Sequence, residues 1–554
     1  MALAKAPSST PPSADGVRRI NGKRASAGFV IGPVHRFTAA TAMVDGDPSG
    51  TPEEERARLT DAMEAAMAQL ADIVEAADDA ASAEILSFQI ALLEDEELAA
   101  PALNAIAGGQ GAVAAWTTAL DAQIDDYRHS EDDYFQARAE DLTDLRDRVL
   151  SVLATGDSQT EGVPPGAIVL TDALAPSAFL AIDWTTTAGL ALAQGSASSH
   201  VAMLARARVV PMVVGLGSGA DALADGATIV LNADDGVLLH DLGSAELDAA
   251  RSEAERRAEA ARAAALLLPR PAITAGGTPV TVCINVDTPA LLEAIPASHC
   301  DGIGLTRTEF LFDPSRPLPD EDRQYQVYRQ IIDWADGRPV TIRTLDAGGD
   351  KPIPGVTFDG EANPFLGVRG LRLSLVRPDV FSVQLRALAR ASAHGALKVM
   401  FPMVTAPAEF AQARHLMTAA LADVAAAGQA TGTPEIGMMV EVPAAAVAID
   451  RFDADFFSIG SNDLIQYVTA VSRDNGTLAA LYDPLHPAVL DLIARVAAHG
   501  RAVGRDVSVC GDMGAEPATL SALLDCGIRS VSVAPAALAG AKATIADYRE
   551  IAAT

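Results

Sequence analysis

The spacing of apolar residues changes twice along the first half of the chain. Residues 19–37, which alternate as in a strand pair, and residues 162–242 contain short apolar runs separated by glycine and proline, a pattern typical of strands. Between them, apolar residues recur at helical spacing from Leu59 to Val74, after a predicted capping box at Thr51–Glu54. Further helices are predicted near 82–106, 112–129 and 132–154. The order of these segments predicts an α/β domain with an inserted all-α helical domain.

The second half of the chain alternates short apolar runs with helical stretches. Eight such runs occur in under 270 residues, and this number and alternation predict a C-terminal (β/α)8 barrel. In that fold, active sites lie at the carboxyl ends of the strands. The predicted strands are Val280–Ile284, Gly302–Leu305, Val340–Arg343, Lys398–Phe401, Ile436–Val440, Phe456–Ile459, Asp506–Cys510 and Ser530–Val533.

A chain of 554 residues is too long for one hydrophobic core, so the predicted fold class is multidomain α/β. Residues 1–17, rich in serine, proline and alanine, are expected to be disordered. A segment rich in alanine, arginine and glutamate predicts a linker helix before the barrel. The predicted domains are the α/β domain at 18–47 plus 157–242, the helical domain at 48–156, the linker helix at 243–268 and the barrel at 269–554.

Charge and composition narrow the function classes. The net charge of −32, from 73 acidic and 41 basic residues, argues against nucleic-acid binding and allows a basic protein partner. The four cysteines show no CxxC spacing, so neither a zinc site nor a disulfide framework is indicated. The N-terminus carries no signal-peptide pattern, and no apolar run approaches the ~20 residues of a membrane span. We therefore expect a cytoplasmic protein without membrane insertion.

His200 lies on a turn between a predicted strand, Ala188–Gln194, and a predicted helix, Val201–Ala207. Ser198 or Ser199 is the expected N-cap of that helix. Unpaired N–H groups and the helix dipole favour an anion there, and neutral imidazole is a competent nucleophile near pH 7. The turn is therefore a candidate carrier of a phosphoryl group, although a histidine that merely caps a helix fits this turn equally well.

Polar residues follow five of the predicted barrel strands. They are Arg307 after the second strand, Arg343 and Lys351 after the third, Glu441 after the fifth, Asn462, Asp463 and Arg473 after the sixth, and Cys510 on the seventh. Two carboxylates suit a Mg²⁺ ion that keeps positions open for substrate oxygens, and arginines fork onto phosphate and carboxylate groups. The set indicates a small phosphorylated carboxylic acid as substrate, whereas any single member is also compatible with a structural ion pair.

Four longer motifs carry a family resemblance. Residues 301–312 (DGIGLTRTEFLF), 363–369 (NPFLGVR), 437–443 (GMMVEVP) and 455–467 (DFFSIGSNDLIQY) resemble enzyme I of the phosphoenolpyruvate-dependent sugar phosphotransferase system. The wider family includes pyruvate phosphate dikinase and phosphoenolpyruvate synthase. The resemblance extends from about residue 18 to the end of the chain.

The resemblance implies that His200 accepts the phosphoryl group of phosphoenolpyruvate (PEP) and passes it to a histidine of the phosphocarrier protein HPr. It implies that Cys510 protonates the enolate carbon as pyruvate forms, and that Glu441 and Asp463 hold Mg²⁺, with Asp463 also near the substrate. The α/β domain would then be a phosphohistidine domain. The helical domain, with Glu84–Leu98 in its second helix, would dock HPr. The barrel would form a homodimer. The implied PEP-binding residues are Arg307, Arg343, Asn462, Asp463 and Arg473, with Lys351 and Arg369 as further phosphate contacts.

The chain departs from the family pattern around the histidine, where Ser196, Ser198 and Val201 replace a glycine, a threonine and a small or hydroxyl residue. Three alternative functions are weighed, and the retained set of arginines, carboxylates and cysteine at the barrel strand ends argues against one of them, a catalytically silent regulatory binder. A dikinase or synthase of the wider family would need a large nucleotide-binding domain, for which the chain shows no glycine-rich phosphate loop. A Mg²⁺-dependent pyruvyl-enolate lyase would use Glu441 and Asp463 but would leave His200 without a role.

Overall fold

The computed structural model describes residues 17–37, 47–76, 86, 89–128, 133–155, 162–196, 199–312, 317–349, 352–358, 360–472, 478 and 481–550. Within some of these ranges, a few side chains, including that of His200, are not described. The chain forms two compact units, Met1–Ala258 and Glu259–Thr554, called here the first unit and the barrel unit. The prediction of disorder at 1–17 falls, apart from residue 17, outside the described residues.

The first unit contains an eight-stranded mixed sheet with strand order β1-β8-β7-β3-β4-β5-β6-β2. The strands β3 to β6 are parallel to one another, and the remaining pairs are antiparallel. The sheet joins strands from both ends of the unit, as the apolar pattern predicts. The strands are β1 (Arg18–Asn21), β2 (Lys23–Ser26), β3 (Phe29–Arg36), β4 (Ile168–Thr171), β5 (Gly189–Leu192), β6 (Met212–Val214), β7 (Thr228–Asn232) and β8 (Val237–His240).

The alternation at residues 19–37 predicts that the neighbouring strands β2 and β3 pair with each other, and this prediction is wrong. β2 pairs with β6 at the sheet edge, whereas β3 lies centrally between β7 and β4. The backbone leaves β2 through Gly28, whose N–H donates to Asp234 Oδ1 at 2.9 Å, and packs against Pro211 rather than forming a hairpin turn. A central position satisfies the backbone of β3 on both edges.

Helices lie between β3 and β4 in the sequence and form a helical part with its own core. The described residues include four helices with stated bounds, and residues 86 and 89–94 are helical as well. Trp116, Leu59 and Leu120 are fully buried within it. The predicted capping box is present, since Thr51 N–H donates to Glu54 at 2.7 Å and Glu54 N–H donates to Thr51 Oγ1 at 3.3 Å. The helices are α1 (Pro52–Ala76), α2 (Glu96–Ala107), α3 (Ala112–Arg128) and α4 (Asp133–Thr155).

Three further helices complete the first unit: α5 (Pro176–Ala181), α6 (His200–Ala207) and α7 (Ser244–Ala265). The predicted linker helix corresponds to α7, which extends past the end of the unit. Arg257 on α7 pairs with Glu253 at 2.6 Å and with Asp234, and its guanidinium lies 4.6 Å from the ring centre of Phe29. These contacts fix α7, at a point just past its middle, to its own unit.

The barrel unit contains all eight predicted strands, each within two residues of its expected bounds. All eight are parallel, and the first of them pairs with both the second and the last, which closes the barrel. A two-residue strand, β9 (Ala272–Ile273), precedes them and pairs antiparallel with the first. The barrel strands are β10 (Pro279–Val286), β11 (Ile303–Thr306), β12 (Val340–Arg343), β13 (Leu397–Phe401), β14 (Glu435–Val440), β15 (Phe456–Gly460), β16 (Asp506–Cys510) and β17 (Ser530–Val533).

Helices surround the barrel, and the predicted multidomain α/β fold with a C-terminal (β/α)8 barrel is confirmed. Within the described residues, no helix combines the length and apolar character that crossing a bilayer requires. The helices are α8 (Glu321–Trp334), α9 (Leu371–Val376), α10 (Pro378–Ala391), α11 (Pro407–Ala426), α12 (Pro443–Val447), α13 (Ser461–Thr469), α14 (Pro487–Val503), α15 (Pro517–Asp525) and α16 (Leu538–Asp547).

Candidate active site

An open cleft lies at the carboxyl ends of the barrel strands. Closing the barrel brings together residues that are distant in the sequence, from Arg307 to Cys510. The lining of the cleft includes three arginines, three acidic residues, an asparagine and a cysteine. These residues are Arg307, Arg343, Arg369, Asp346, Glu441, Asp463, Asn462 and Cys510.

Arg343 ends β12 and is deeply buried in the cleft wall, with its side chain 5% exposed. It pairs with Asp346 at 3.0 Å and with Glu309 at 3.2 Å. Burial opposes the charge, but the carboxylates of Glu309 and Asp346 outweigh it and raise the pKa of Arg343. Its Nε is buried and makes no hydrogen bond within the described protein. The guanidinium is therefore held charged and rigid at the cleft wall.

Arg369 shares a carboxylate with Arg343. Its Nη2 lies 2.9 Å from Asp346 Oδ2 and 3.4 Å from Asp463 Oδ2, and its Nη1 donates to Tyr467 at 3.4 Å. Burial disfavours the charge, yet Asp346 and Asp463 raise the pKa of Arg369. Asp346, 1% exposed, thus links two guanidinium groups. Such fixed pairs of forked donors suit the oxygen atoms of a phosphate group.

Glu441 follows β14 and is 1% exposed. Its Oε1 accepts a hydrogen bond from the backbone N–H of Met403 at 2.6 Å. Burial, together with the negative charges of Asp463 and Asp346, raises the pKa of Glu441 to about 8, against the opposing effect of Arg343 and Arg369. A buried carboxyl group with excess negative charge around it is typical of a cation site.

Asn462 and Asp463 occupy the first turn of α13, directly after β15. Asn462 Nδ2 donates to Asp512 at 3.2 Å, and its Oδ1 accepts from the Asp512 N–H at 3.2 Å. This exchange ties the carboxyl ends of β15 and β16 together. On the opposite side, Arg307 is one-third exposed and pairs with Asp287 at 2.7 Å.

Cys510 ends β16 and is 2% exposed. Its thiol accepts from Ser458 Oγ at 3.5 Å and donates to the carbonyl of Ile459 at 3.6 Å. Burial raises the pKa of Cys510 in spite of the hydrogen bond from Ser458. The group is therefore a protonated thiol at neutral pH, as a proton donor at a cleft wall has to be.

The donor set of the cleft fits Mg²⁺. No cluster of three or more histidine, cysteine or acidic side chains suited to a metal occurs in the described part of the chain. Glu441 and Asp463 are two carboxyl groups of the lining, and Mg²⁺ commonly binds through one or two carboxylates while substrate and water supply the rest. Three guanidinium groups face three carboxyl groups in the lining. An anionic substrate with several charges would therefore benefit from an added cation.

His200 is the first residue of α6 in the first unit, and its side chain lies outside the described atoms. Of the two candidate caps, Ser199 is the one observed, since its side chain accepts from the Ala202 N–H at 3.3 Å. Val201, which replaces a small or hydroxyl residue of the family pattern, is 2% exposed in the core. The residue after the histidine therefore points inward and supplies packing.

Of the residues predicted from the sequence, seven line the cleft: Arg307, Arg343, Arg369, Glu441, Asn462, Asp463 and Cys510. Arg473 and Lys351 fall outside the described residues. Two acidic residues of the site, Glu309 and Asp346, had no predicted role, although each follows a site arginine by two or three positions in the sequence. A carboxylate so near a buried arginine is a signal that could have identified both.

Three family models match the chain in succession. The N-terminal part of PEP-utilising enzymes matches residues 21–138, their mobile domain matches 163–236, and their PEP-binding domain matches 261–550. The last match alone covers more than half of the chain. The chain therefore belongs to the PEP-utilising enzymes.

Relatives narrow this assignment to the phosphoenolpyruvate-protein phosphotransferases. The phosphoenolpyruvate-protein phosphotransferase of Geobacillus stearothermophilus is 35% identical over 95% of this chain and 93% of its own length. A multiphosphoryl transfer protein of Xanthomonas campestris pv. campestris is 38% identical over 97% of this chain, which spans 64% of that protein. A solved structure titled Enzyme I (nEIt) covers 43% of this chain and 99% of its own at 24% identity, with a TM-score of 0.36, too low to support an argument.

Proposed function

We propose that the chain transfers the phosphoryl group of PEP to His200 and then to a histidine of HPr, with release of pyruvate. The observation that carries the proposal is the cleft, where guanidinium groups, two candidate metal-binding carboxylates and a protonated thiol surround one small volume. A phosphorylated enol acid needs each of these groups. The family assignment supports the same reaction class.

The arginines of the cleft bind and orient the substrate. Arg343 and Arg369 are fixed by Asp346, so their free donors are positioned before the phosphate arrives. Arg307 is more exposed and lies on the other side of the cleft. Arg473, outside the described residues, is proposed as a further ligand of the substrate from its position ten residues after Asp463. Asn462 presents an amide to the carboxylate of PEP.

Glu441 and Asp463 would hold Mg²⁺. When bound, the ion would neutralise charge that develops on the enolate oxygen and the phosphoryl oxygens. The shared excess of negative charge at these two carboxylates supports this assignment, because a cation would relieve it. Asp463 also contacts Arg369, which would place the ion beside the phosphate-binding cations.

The chemical steps balance without a further reactant. The phosphorus–oxygen bond of PEP breaks, and a phosphorus–nitrogen bond forms at the imidazole of His200. Cys510 then gives its proton to the methylene carbon of the enolate, which yields pyruvate, and the thiol regains a proton from water. In-line transfer requires the reacting atoms to approach within about 3.5 Å. His200 must therefore be able to reach the cleft and, afterwards, the acceptor.

HPr is the proposed acceptor, and the helical part of the first unit is its proposed docking site. The stretch from residue 121 to 148 contains ten acidic residues and four arginines. Asp125 and Asp126 are exposed on α3, whereas Asp144 is buried and accepts hydrogen bonds from Ser177 and Gln89. The exposed acidic side chains would favour encounter with a basic partner surface. Part of the proposed docking helix, residues 84–98, lies outside the described residues.

The barrel is also proposed to mediate a homodimer. This proposal rests on the family resemblance, and the exposed apolar side chains Val447, Leu481 and Leu485 of the barrel unit are candidates for the contact. Sedimentation equilibrium with and without PEP and Mg²⁺ tests it, and a monomer under every condition would exclude it.

The phosphoryl transfer is tested with PEP labelled in its phosphate. With Mg²⁺ present, acid-labile label is expected on wild-type protein, none on H200A, and normal labelling on H415Q, a matched change at an exposed histidine of α11. Label that passes to purified HPr supports the full proposal. Labelling of H200A would exclude His200 as the carrier. Exchange of the methyl protons of pyruvate with solvent, without any labelled protein, would favour the lyase alternative.

A further inference from the structure

We propose that Met403 is a positioning residue for the cation site, acting through its backbone N–H on Glu441 and through its side chain on the segment that carries Arg369. The inference rests on the proposed role of Glu441 as a metal ligand. Met403 lies two residues after the end of β13.

The backbone of Met403 has an unusual conformation. Five non-glycine residues in the described ranges have positive φ: Val209, Asp241, Asp336, Met403 and Ala470. Four of them are exposed, whereas Met403, with φ 53°, is 2% exposed. Left-handed backbone at a buried residue without a glycine is costly and persists where surrounding contacts enforce it.

This backbone conformation directs the N–H of Met403 at the carboxylate of Glu441. The N–H nitrogen of Met403 lies 2.6 Å from Oε1 of Glu441. The chain after Met403 is fixed, because Val404 is fully buried. Phe401 on the other side is fully buried as well. A change of φ at Met403 would therefore be absorbed by rotation of the peptide unit between Pro402 and Met403, which would turn the N–H away from the carboxylate.

The second oxygen of Glu441 faces a gap left by a glycine. A Cβ at Gly460 would lie only 2.8 Å from Oε2. Oε1 is thus fixed by Met403, while Oε2 depends on the space at Gly460. A carboxylate held by one oxygen has a defined direction for the other, which is what a cation ligand requires.

The side chain of Met403 connects this carboxylate to the phosphate-binding arginine. A Cβ at Gly370 would lie 2.8 Å from both Cβ and Cγ of Met403, so these atoms pack directly on the Gly370 backbone. Leu371 N–H also donates to the carbonyl of Pro402 at 3.3 Å. Gly370 is adjacent to Arg369 in the chain, so Met403 contacts both the cation-binding and the anion-binding half of the cleft.

Cation binding measured directly tests this role. The probe is Mn²⁺ in the presence of oxalate, a planar dianion similar in shape and charge to pyruvate enolate, with the bound ion followed by electron paramagnetic resonance on the full chain. M403V introduces a β-branched residue that disfavours positive φ, and it is expected to weaken Mn²⁺ binding by about tenfold or more. M403L keeps an unbranched Cβ and should bind Mn²⁺ like wild type.

The M403G variant separates the effect of the Met403 backbone N–H from the effect of its side chain. Glycine adopts positive φ freely, so Mn²⁺ binding should stay within about threefold of wild type. The lost side-chain contact at Gly370 should instead raise the KM for PEP. If M403V fails to fold, replacement of Met403 by its α-hydroxy analogue removes only the N–H and should again weaken Mn²⁺ binding by about tenfold or more.

The outcomes distinguish two kinds of failure. If wild-type protein binds Mn²⁺ and the folded M403V or ester protein binds it equally well, Met403 has no positioning role and the cation assignment stands. If wild type and E441Q bind Mn²⁺ identically, Glu441 is not a ligand, and both the proposed metal site and this inference are wrong.

Discussion

The side chains of Glu55 in the helical part and Glu441 in the barrel are equally shielded from solvent contact, at 1% exposure each. Glu55 lies just beneath the surface, beside the exposed Ser49, whereas Glu441 lies deep in the barrel, and their pKa values shift in opposite directions. Burial alone would raise the pKa of Glu55, but hydrogen bonds from Ala112 N–H at 2.7 Å and from Ser49 at 2.7 and 2.9 Å, together with Arg58, lower it to about 2. Glu441 has one backbone donor and two carboxyl neighbours, and its pKa rises to about 8.

The difference shows what separates a structural from a functional buried carboxylate. Glu55 is fully satisfied by the protein and bridges the start of α1 to the start of α3. Glu441 has one backbone donor, and under the proposed function a bound cation would supply its remaining stabilisation. Low solvent exposure alone therefore does not separate the two roles, whereas depth, the balance of donors and the neighbouring charges do.

The strongest test of this comparison is E441Q. Loss of one ligand charge should reduce PEP-dependent phosphorylation on the order of 10³-fold, because the cation would no longer be held at the developing charge. Labelled PEP under single-turnover conditions measures the effect. The matched control is E435Q, an exposed change at the other end of the same strand, where Glu435 pairs with Lys398 at 3.3 Å. Retention by E441Q of more than about a tenth of wild-type activity would contradict the assignment.

E55Q should have the complementary effect, on stability. An amide in place of the carboxylate brings N–H donors against N–H donors, so the free energy of unfolding of the first unit should fall by about 2–3 kcal/mol. Hydrogen exchange read on peptides of each unit separately measures it. E64Q, an exposed change on the same helix, should stay within about 0.5 kcal/mol. An equal loss of unfolding free energy in E55Q and E64Q would show that the buried carboxylate of Glu55 stabilises the first unit no more than an exposed glutamate does.

The two carboxyl groups should also give opposite dependences of stability on pH in the absence of divalent cations. Glu55 has a pKa below its ordinary 4.5, so its contribution is present above about pH 4.5 and is lost as the pH falls towards 2. Glu441 has a raised pKa, so its contribution is full below about pH 4.5 and is lost as the pH rises through 8.

Hydrogen exchange between about pH 2 and about pH 9 checks both slopes. Near pH 9, the barrel unit of E441Q should have a higher free energy of unfolding than that of wild type. Added Mg²⁺ should reduce this difference, because it stabilises only the wild-type protein. A barrel unit whose E441Q and wild-type forms respond identically to pH would show that Glu441 titrates normally.

The smallest effect is expected at Glu54, which extends the comparison to an exposed glutamate beside Glu55. Its carboxylate accepts the Thr51 N–H at 2.7 Å in the capping box. E54Q keeps an acceptor oxygen and loses only a solvent-screened charge, so the first unit should lose about 0.5 kcal/mol or less. If E54Q lowered the free energy of unfolding as much as E55Q does, burial would contribute little to the difference in stabilisation between Glu54 and Glu55.

The sequence by itself determined the strands and helices of this protein and the residue types at the barrel strand ends. Apolar spacing and capping residues are local signals, so the eight barrel strands and the Thr51–Glu54 box could be predicted without three-dimensional information. The pairing of β2 with β6 at the sheet edge could not be predicted in this way, because the partner of a strand depends on which edges remain free once the whole sheet forms.

Tertiary structure alone decided the electrostatics of the site. The sharing of Asp346 between Arg343 and Arg369, the opposite pKa shifts of Glu55 and Glu441, and the contact of Met403 with Glu441 each depend on at least one residue that is distant in sequence. Charge interactions depend on distances and burial that exist only after the barrel closes, whereas secondary structure depends mainly on neighbours along the chain.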